Sequence, residues 1–131
     1  MSKRRLRVLV DERERSSGVP EALKGLGVLV EYRMLDVGDY VAPGYAFERK
    51  EVHDLVRSVF SGRVFDQARR LVEAYEHPIL IVEGDVGSIL GVRIRPTAYW
   101  GALASLTIDY GLRILFTPDS CLLYTSPSPR D

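Results

Sequence analysis

Hydrophobic and polar positions change period several times along the chain, and each change marks an element. Leu6 to Asp11 alternates and ends on a carboxylate, which predicts a strand. A polar loop follows to Gly18, and Pro20 then opens a short helix that Gly27 closes. Val28 to Leu35 reads as a second strand. Val37–Tyr40 and Tyr45–Lys50 read as two short strands reversing about Pro43-Gly44. From Glu51 to Phe60 the apolar residues fall at 52, 55, 56, 59 and 60, one face of a helix. Ser61-Gly62 breaks that helix, and a second runs from Arg63 to about Glu76 with Val64, Ala68, Leu71, Val72 and Tyr75 inward. Pro78–Glu83 is almost continuously apolar, as a central strand covered on both faces would be. Residues 85–95 show no clear period. Pro96–Tyr110 predicts a helix stopped by Gly111, and Leu112–Thr117 a final strand. Strands alternating with helices give an α/β class with a central mixed sheet flanked by helices.

Composition narrows the functional classes. The chain has 131 residues, enough for one domain with its own core. A single cysteine, Cys121, excludes an internal disulfide and any zinc site built on several thiolates, and fits a reducing compartment. Eighteen basic against eighteen acidic residues exclude a polycation that coats DNA but permit a local basic patch. No apolar run reaches the roughly 20 residues of a membrane span, so no membrane partner is expected. Residues 120–131, with two Ser-Pro pairs and no periodicity, read as a disordered or vector-derived tail after a domain at 1–119.

The chemistry concentrates in Gly38-Asp39, Glu48-Arg49-Lys50 and Asp54. If the chain reverses symmetrically about Pro43-Gly44, residue 42 faces 45, 41 faces 46 and 39 faces 48. Asp39 and Glu48 then form a cross-strand pair with Cβ atoms ~5 Å apart. Their repulsion at ~4 Å and an effective dielectric near ~20 is of order 4 kcal/mol. A hairpin selected for stability alone would avoid this, and a cation between the carboxylates reverses the sign. A two-residue Pro-Gly turn is not the favoured hairpin connection, which leaves a longer loop open. Alternation puts Lys50 on the face of Glu48 and points Arg49 away. Two hard oxygen donors suit Mg²⁺ or Mn²⁺, and a neighbouring lysine suits the charge of an attacked phosphodiester.

The pattern Gly-Asp-x8-Glu-Arg-Lys-x3-Asp resembles the signature of the XPF family of structure-specific endonucleases, kin in fold to restriction-endonuclease-like PD-(D/E)xK nucleases. Val10-Asp11-Glu12-Arg13-Glu14 is similar to that family's first motif, and Ser61–Leu71 resembles the helix that follows its active site. Val82-Glu83-Gly84 and Leu106–Gly111 also resemble family segments, so the likeness covers about residues 6–118 and is strongest to archaeal members. It implies an XPF-type nuclease domain with Asp39, Glu48, Arg49, Lys50, Asp54 and Asp11 as catalytic residues. It implies Asp39 and Glu48 as metal ligands, the Arg49 carbonyl as a third, and Asp11 in or beside the metal shell. Lys50 would assist the attacking water or the transition state, and Glu14 would brace the site. Arg13, Arg63, Gln67 and Arg70 are expected to contact DNA.

The activity so implied is Mg²⁺- or Mn²⁺-dependent cutting of one strand of 3′-flap, fork or other branched DNA near a single-strand/double-strand junction, in DNA repair. The partners implied are branched DNA and a second copy of the chain docked through the helix around 96–110. A tandem helix-hairpin-helix domain is expected in the full-length protein and absent here. The implied location is the archaeal cytoplasm, or the nucleus of a eukaryote. The alternatives are a non-catalytic DNA-binding or dimer-partner module of the same fold, and a four-way junction resolvase.

Overall fold

A computed structural model describes residues 5–118; the expected tail at 120–131, the end of the domain at Asp119, and Lys3 and Arg4 of the basic N-terminus lie outside them. The elements are β1 (Arg7–Asp11), α1 (Val19–Gly25), β2 (Leu29–Arg33), β3 (Tyr40–Ala42), β4 (Tyr45–Glu51), α2 (Val52–Ser61), α3 (Arg63–Ala74), β5 (His77–Glu83), α4 (Pro96–Ile108) and β6 (Arg113–Thr117). They form one six-stranded sheet in the order β2-β1-β3-β4-β5-β6. Strand β3 is antiparallel to both neighbours, and the pairs β1–β2, β4–β5 and β5–β6 are parallel. The sheet is therefore mixed, and the carboxyl ends of β1, β4 and β5 lie together with the start of β3.

Alternation along the strands divides the core. On one face Ala46, Leu80 and Val82 pack beneath Leu55 and Val56 of α2, Val64, Ala68 and Leu71 of α3, and Leu103 and Leu106 of α4. Each valine or leucine among them stabilises the fold by roughly 1.5–3 kcal/mol when fully buried. On the other face Val8, Val10 and Tyr40 pack beneath Val19 and Leu23 of α1.

Several expectations shift. The first hairpin strand starts at Tyr40 rather than Val37, because Gly38 adopts a left-handed conformation (φ 88°) that turns the chain before pairing begins. Pro43 and Gly44 make a two-residue turn after all, since Ala42 pairs directly with Tyr45. Glu51 is the cap of α2 rather than its first residue; its carboxylate accepts the N–H groups of His53 and Asp54. Phe60 points outward instead of joining the core. Residues 85–95 form a loop with one short 3-10 turn, anchored by the buried Ile89 and Ile94.

The end of β5 is tightly constrained. Gly84 has φ 124°, and a Cβ there would stand 2.9 Å from Val52 Cγ2. Val52 is β-branched and fixed in the first turn of α2, so it has no free rotamer to retreat into. Replacing Gly84 with alanine is expected to destabilise the fold by about 2 kcal/mol or more. Urea unfolding with an unchanged midpoint would contradict this.

Candidate active site

The hairpin register is the one the sequence predicts: Tyr40 pairs with Phe47, Val41 with Ala46 and Ala42 with Tyr45, which sets Asp39 opposite Glu48. Asp39 is fixed on three sides. Its N–H donates to the Phe47 carbonyl at 2.8 Å, its carbonyl accepts the Asp11 N–H at 2.9 Å, and its Oδ2 accepts the Arg49 N–H at 2.9 Å. Asp39 and Glu48 open into one cavity of about 280 Å³, walled also by Arg13, Gln67 and Arg70. An adjoining cleft beneath α3 joins Glu48 and Lys50 to Gln67. Arg49 turns to the opposite face, beside Phe47 and Ile81. A strand residue sends its N–H and C=O to the same side. The Arg49 carbonyl therefore leaves toward the Asp39 edge along with the N–H that binds it.

Burial first, and the neighbouring Asp39 charge second, push the Glu48 carboxyl up to about 7 from an ordinary 4.5, while Lys50 pulls the other way. Asp39 is likewise raised, chiefly by burial, with the Arg49 N–H opposing. Two carboxylates disfavour one another's charge in one cavity, and hard oxygen donors in that state fit a small divalent cation. Among the described residues no three His, Cys, Asp or Glu side chains converge on a metal position, so a cation placed between Asp39 and Glu48 would need any further donor from the backbone, water or substrate.

Asp11, expected in or beside the metal shell, lies beside Asp39 and turns its carboxylate to Arg13. It is almost wholly buried, and both oxygens are engaged. Oδ2 accepts from Arg13 N and Nε, and Oδ1 from Arg13 Nη2 and the Leu35 N–H. The Arg13 guanidinium holds its carboxyl down at about 2. Asp11 thus anchors Arg13, and through Leu35 the loop leading to Asp39. Asp54, expected among the catalytic residues, lines neither cavity that Glu48 lines. It lies on the exposed first turn of α2 and pairs with Arg57, where its charge favours the helix dipole.

Of the four expected DNA-contacting side chains, Arg13, Gln67 and Arg70 border the cavity. Arg63 is exposed at the start of α3, one turn before Gln67. The Gln67 amide oxygen is buried without a partner. Glu14 reaches the rear of β4, where it accepts from Tyr40 and Arg49. Sequence reasoning missed Tyr40 and Glu83, which complete that rear network; the signal for Glu83 was its place in Val82-Glu83-Gly84.

A mixed sheet that pairs one carboxylate just before its antiparallel strand β3 with another on the adjoining strand β4 fits the class of nuclease-type α/β domains. The ERCC4 domain family matches residues 10–121. The chain is 47% identical over 115 residues to the 3′-flap repair endonuclease Xpf of Saccharolobus solfataricus, covering 87% of this chain and 49% of that protein. It is 38% identical over 121 residues to the DNA repair endonuclease XPF of Cricetulus griseus, covering 85% of this chain and 13% of that one. Its fold superimposes on XPF from Aeropyrum pernix, solved in complex with DNA, with a TM-score of 0.79 and 42% identity, over 88% of this chain and 57% of that one. The chain belongs to the ERCC4-domain family of XPF-type nucleases, and it spans about half the length of these archaeal relatives.

The raised Glu48 carboxyl has a sign that can be tested. Between pH ~4.5 and ~7 the folded state holds a proton that the unfolded state has released, so this group's contribution to stability falls as pH rises through that window. Above pH ~7 the full cost is on the order of 3 kcal/mol. Replacing Glu48 with glutamine is expected to flatten this slope and to stabilise the cation-free protein at pH 8 but not at pH 4. Chemical unfolding at several pH values checks this; an unaltered slope would refute the burial argument.

Proposed function

We propose that this domain is a Mg²⁺- or Mn²⁺-dependent endonuclease that hydrolyses one strand of branched DNA, 3′-flaps and forks in particular, near a single-strand/double-strand junction. The observation that carries the reading is the sharing of one cavity by Asp39 and Glu48, with Glu48 held near neutrality by burial and by its neighbour. The names of the archaeal relatives, one a 3′-flap repair endonuclease and one solved with DNA, support the substrate class.

In this reading Asp39, Glu48 and the Arg49 carbonyl hold the cation. When bound, that cation supplies Lewis-acid charge for phosphodiester hydrolysis and lowers the pKa of a coordinated water. The chain's own groups do the rest. Lys50, beside Glu48, places an ammonium where negative charge grows on the attacked phosphate. Arg13 and Arg70 lie at the cavity wall to fix the backbone of the cut strand, and exposed Arg63 extends that line along α3. Gln67 lines one cleft with Glu48 and Lys50, and its unpartnered amide oxygen is an acceptor for the Lys50 ammonium or for water. Asp11 acts by holding Arg13, and would meet the cation only by giving Arg13 up.

Residues Trp100 and Ile108 on the outer side of α4 are exposed, and with Phe116 of β6 they form an apolar surface. We assign this surface to a second copy of the chain. Replacing Trp100 with aspartate is expected to shift a dimer to monomer in light scattering while leaving far-UV circular dichroism unchanged. A wild-type chain that is monomeric at high micromolar concentration would reject this assignment.

Incubation with an end-labelled 3′-flap duplex and Mn²⁺ tests the activity. Asp39→Asn and Glu48→Gln are each expected to slow cleavage at least ~100-fold. Flap binding without cation-dependent cleavage would favour a non-catalytic module, and preferential cutting of a four-way junction would replace the flap by another substrate.

A further inference from the structure

Behind the acidic cavity lies a charged assembly whose side chains were given no part in the chemistry described above. Arg49 donates from Nε to Glu83 Oε2 at 3.0 Å and from Nη2 to Glu83 Oε1 at 2.7 Å. Its Nη1 donates to Glu14 Oε1, which also accepts the Tyr40 hydroxyl at 2.6 Å. The side chains of Arg49, Glu14 and Glu83 are only 15%, 17% and 17% exposed. A paired fork of this kind fixes the orientation of a guanidinium as well as its distance, which a single contact does not.

The backbone of the same residue serves the opposite face. The Arg49 N–H holds Asp39 Oδ2, and the Arg49 carbonyl leaves on that side too. A small rotation of this stretch of β4 would therefore move the Asp39 carboxylate and the carbonyl oxygen together. Glu83 is itself firmly placed. It pairs in register with Glu51 at the end of β5, and Gly84 behind it is pressed against Val52. Glu83 borders neither cavity that Glu48 borders, so it touches neither cation nor substrate there. The rear assembly also carries one net negative charge, two carboxylates against one guanidinium, behind a site that attracts cations.

We propose that Glu83 is a positioning residue: through its paired grip on the Arg49 side chain it sets the Arg49 backbone, and with it the divalent-cation seat between Asp39 and Glu48. The proposal rests on the reading of that cavity as a cation site. Glu83→Gln leaves Arg49 its bond to Glu14, so the variant retains a charge partner.

Two measurements on the 131-residue chain, both without DNA, separate the claims. Mn²⁺ affinity is read by calorimetry or electron paramagnetic resonance, and exchange of the Arg49 amide proton by NMR in the absence of metal. Wild type is expected to bind Mn²⁺, and Glu48→Gln to abolish binding. Glu83→Gln is expected to weaken binding about 10-fold, the scale of outer-shell substitutions around metal ligands, and to speed Arg49 amide exchange. Arg49→Lys should reproduce both effects, and the double variant should bind no more weakly than Arg49→Lys alone, because Glu83 acts through that side chain. Unchanged affinity and unchanged exchange in Glu83→Gln overturn the proposal while leaving the cation site standing. A wild type that binds no Mn²⁺ overturns the cation reading and the proposal's cation seat with it, while amide exchange still decides whether Glu83 holds the Arg49 backbone. Should Glu83→Gln fail to fold, Arg49→Lys alone carries the test, because it removes the paired guanidinium that Glu83 holds. An affinity and a residue-49 amide exchange rate equal to wild type in that variant would then overturn the proposal.

Discussion

The juxtaposition of Asp39 and Glu48 across one hairpin is the constraint on which the rest of the site depends. Side chains alternate with a period of two, so a slip of one residue would bring Arg49 into the cavity and send Glu48 to the α1 face. The structure defends the register from both sides. Strand β5 pairs with β4 over its whole length, from Tyr45 to Glu51. Strand β1 reaches across to Asp39 through the Asp11 N–H, so the flank of the hairpin that carries the aspartate is also tied down. Two carboxylates that repel one another are kept together by a sheet that gives them no other arrangement.

Holding like charges in a partly desolvated cavity has consequences on both faces of the sheet. On the cavity face, Lys50 and Arg13 temper the pair without closing it off, and Glu48 stays near neutrality. On the rear face, the Glu14 charge adds to the upward push on both Asp39 and Glu48. Arg49 offsets one of the two charges of Glu14 and Glu83, and although burial opposes its own charge, its hydrogen bonds to them outweigh that and keep it charged. The residue between Glu48 and Lys50 is thus the neutralising centre of one face and, through its backbone, part of the architecture of the other.

How much of this was legible in the sequence follows the range of the interactions. The hairpin register, the separation of Arg49 from Glu48 and Lys50, and the inward faces of α2 and α3 depend on periodicity and a symmetric turn, which are local. The late start of β3 was not legible, because Gly38 turns the chain while Val37 keeps a strand-like side chain. The engagement of Asp11 was not legible either. Its motif position suits a metal ligand equally well, and only the fold reveals that Leu35, 24 residues away, shares Oδ1 with Arg13, which also holds Oδ2. The grip of Glu83 on Arg49 spans 34 residues and two strands, beyond any spacing argument. Asp54 shows the limit of a motif position: spacing suggested chemistry, and the fold sets the residue on an exposed helix turn beside Arg57.

This division of labour has a physical reason. In the proposed reading the cation ligands must converge to within a few tenths of an ångström, and neighbouring strands of a short hairpin would achieve that with the least chain between them. Charge balance is less demanding, since electrostatic influence falls off gradually with distance. It can be supplied by whichever elements the sheet brings near: the turn after β1 provides Glu14 and Arg13, and the end of β5 provides Glu83. Substitutions within the hairpin should therefore abolish the chemistry, while those in the supporting ring should grade it. The exception is a supporting residue that grips the hairpin backbone itself, because there a change in charge balance becomes a change in geometry.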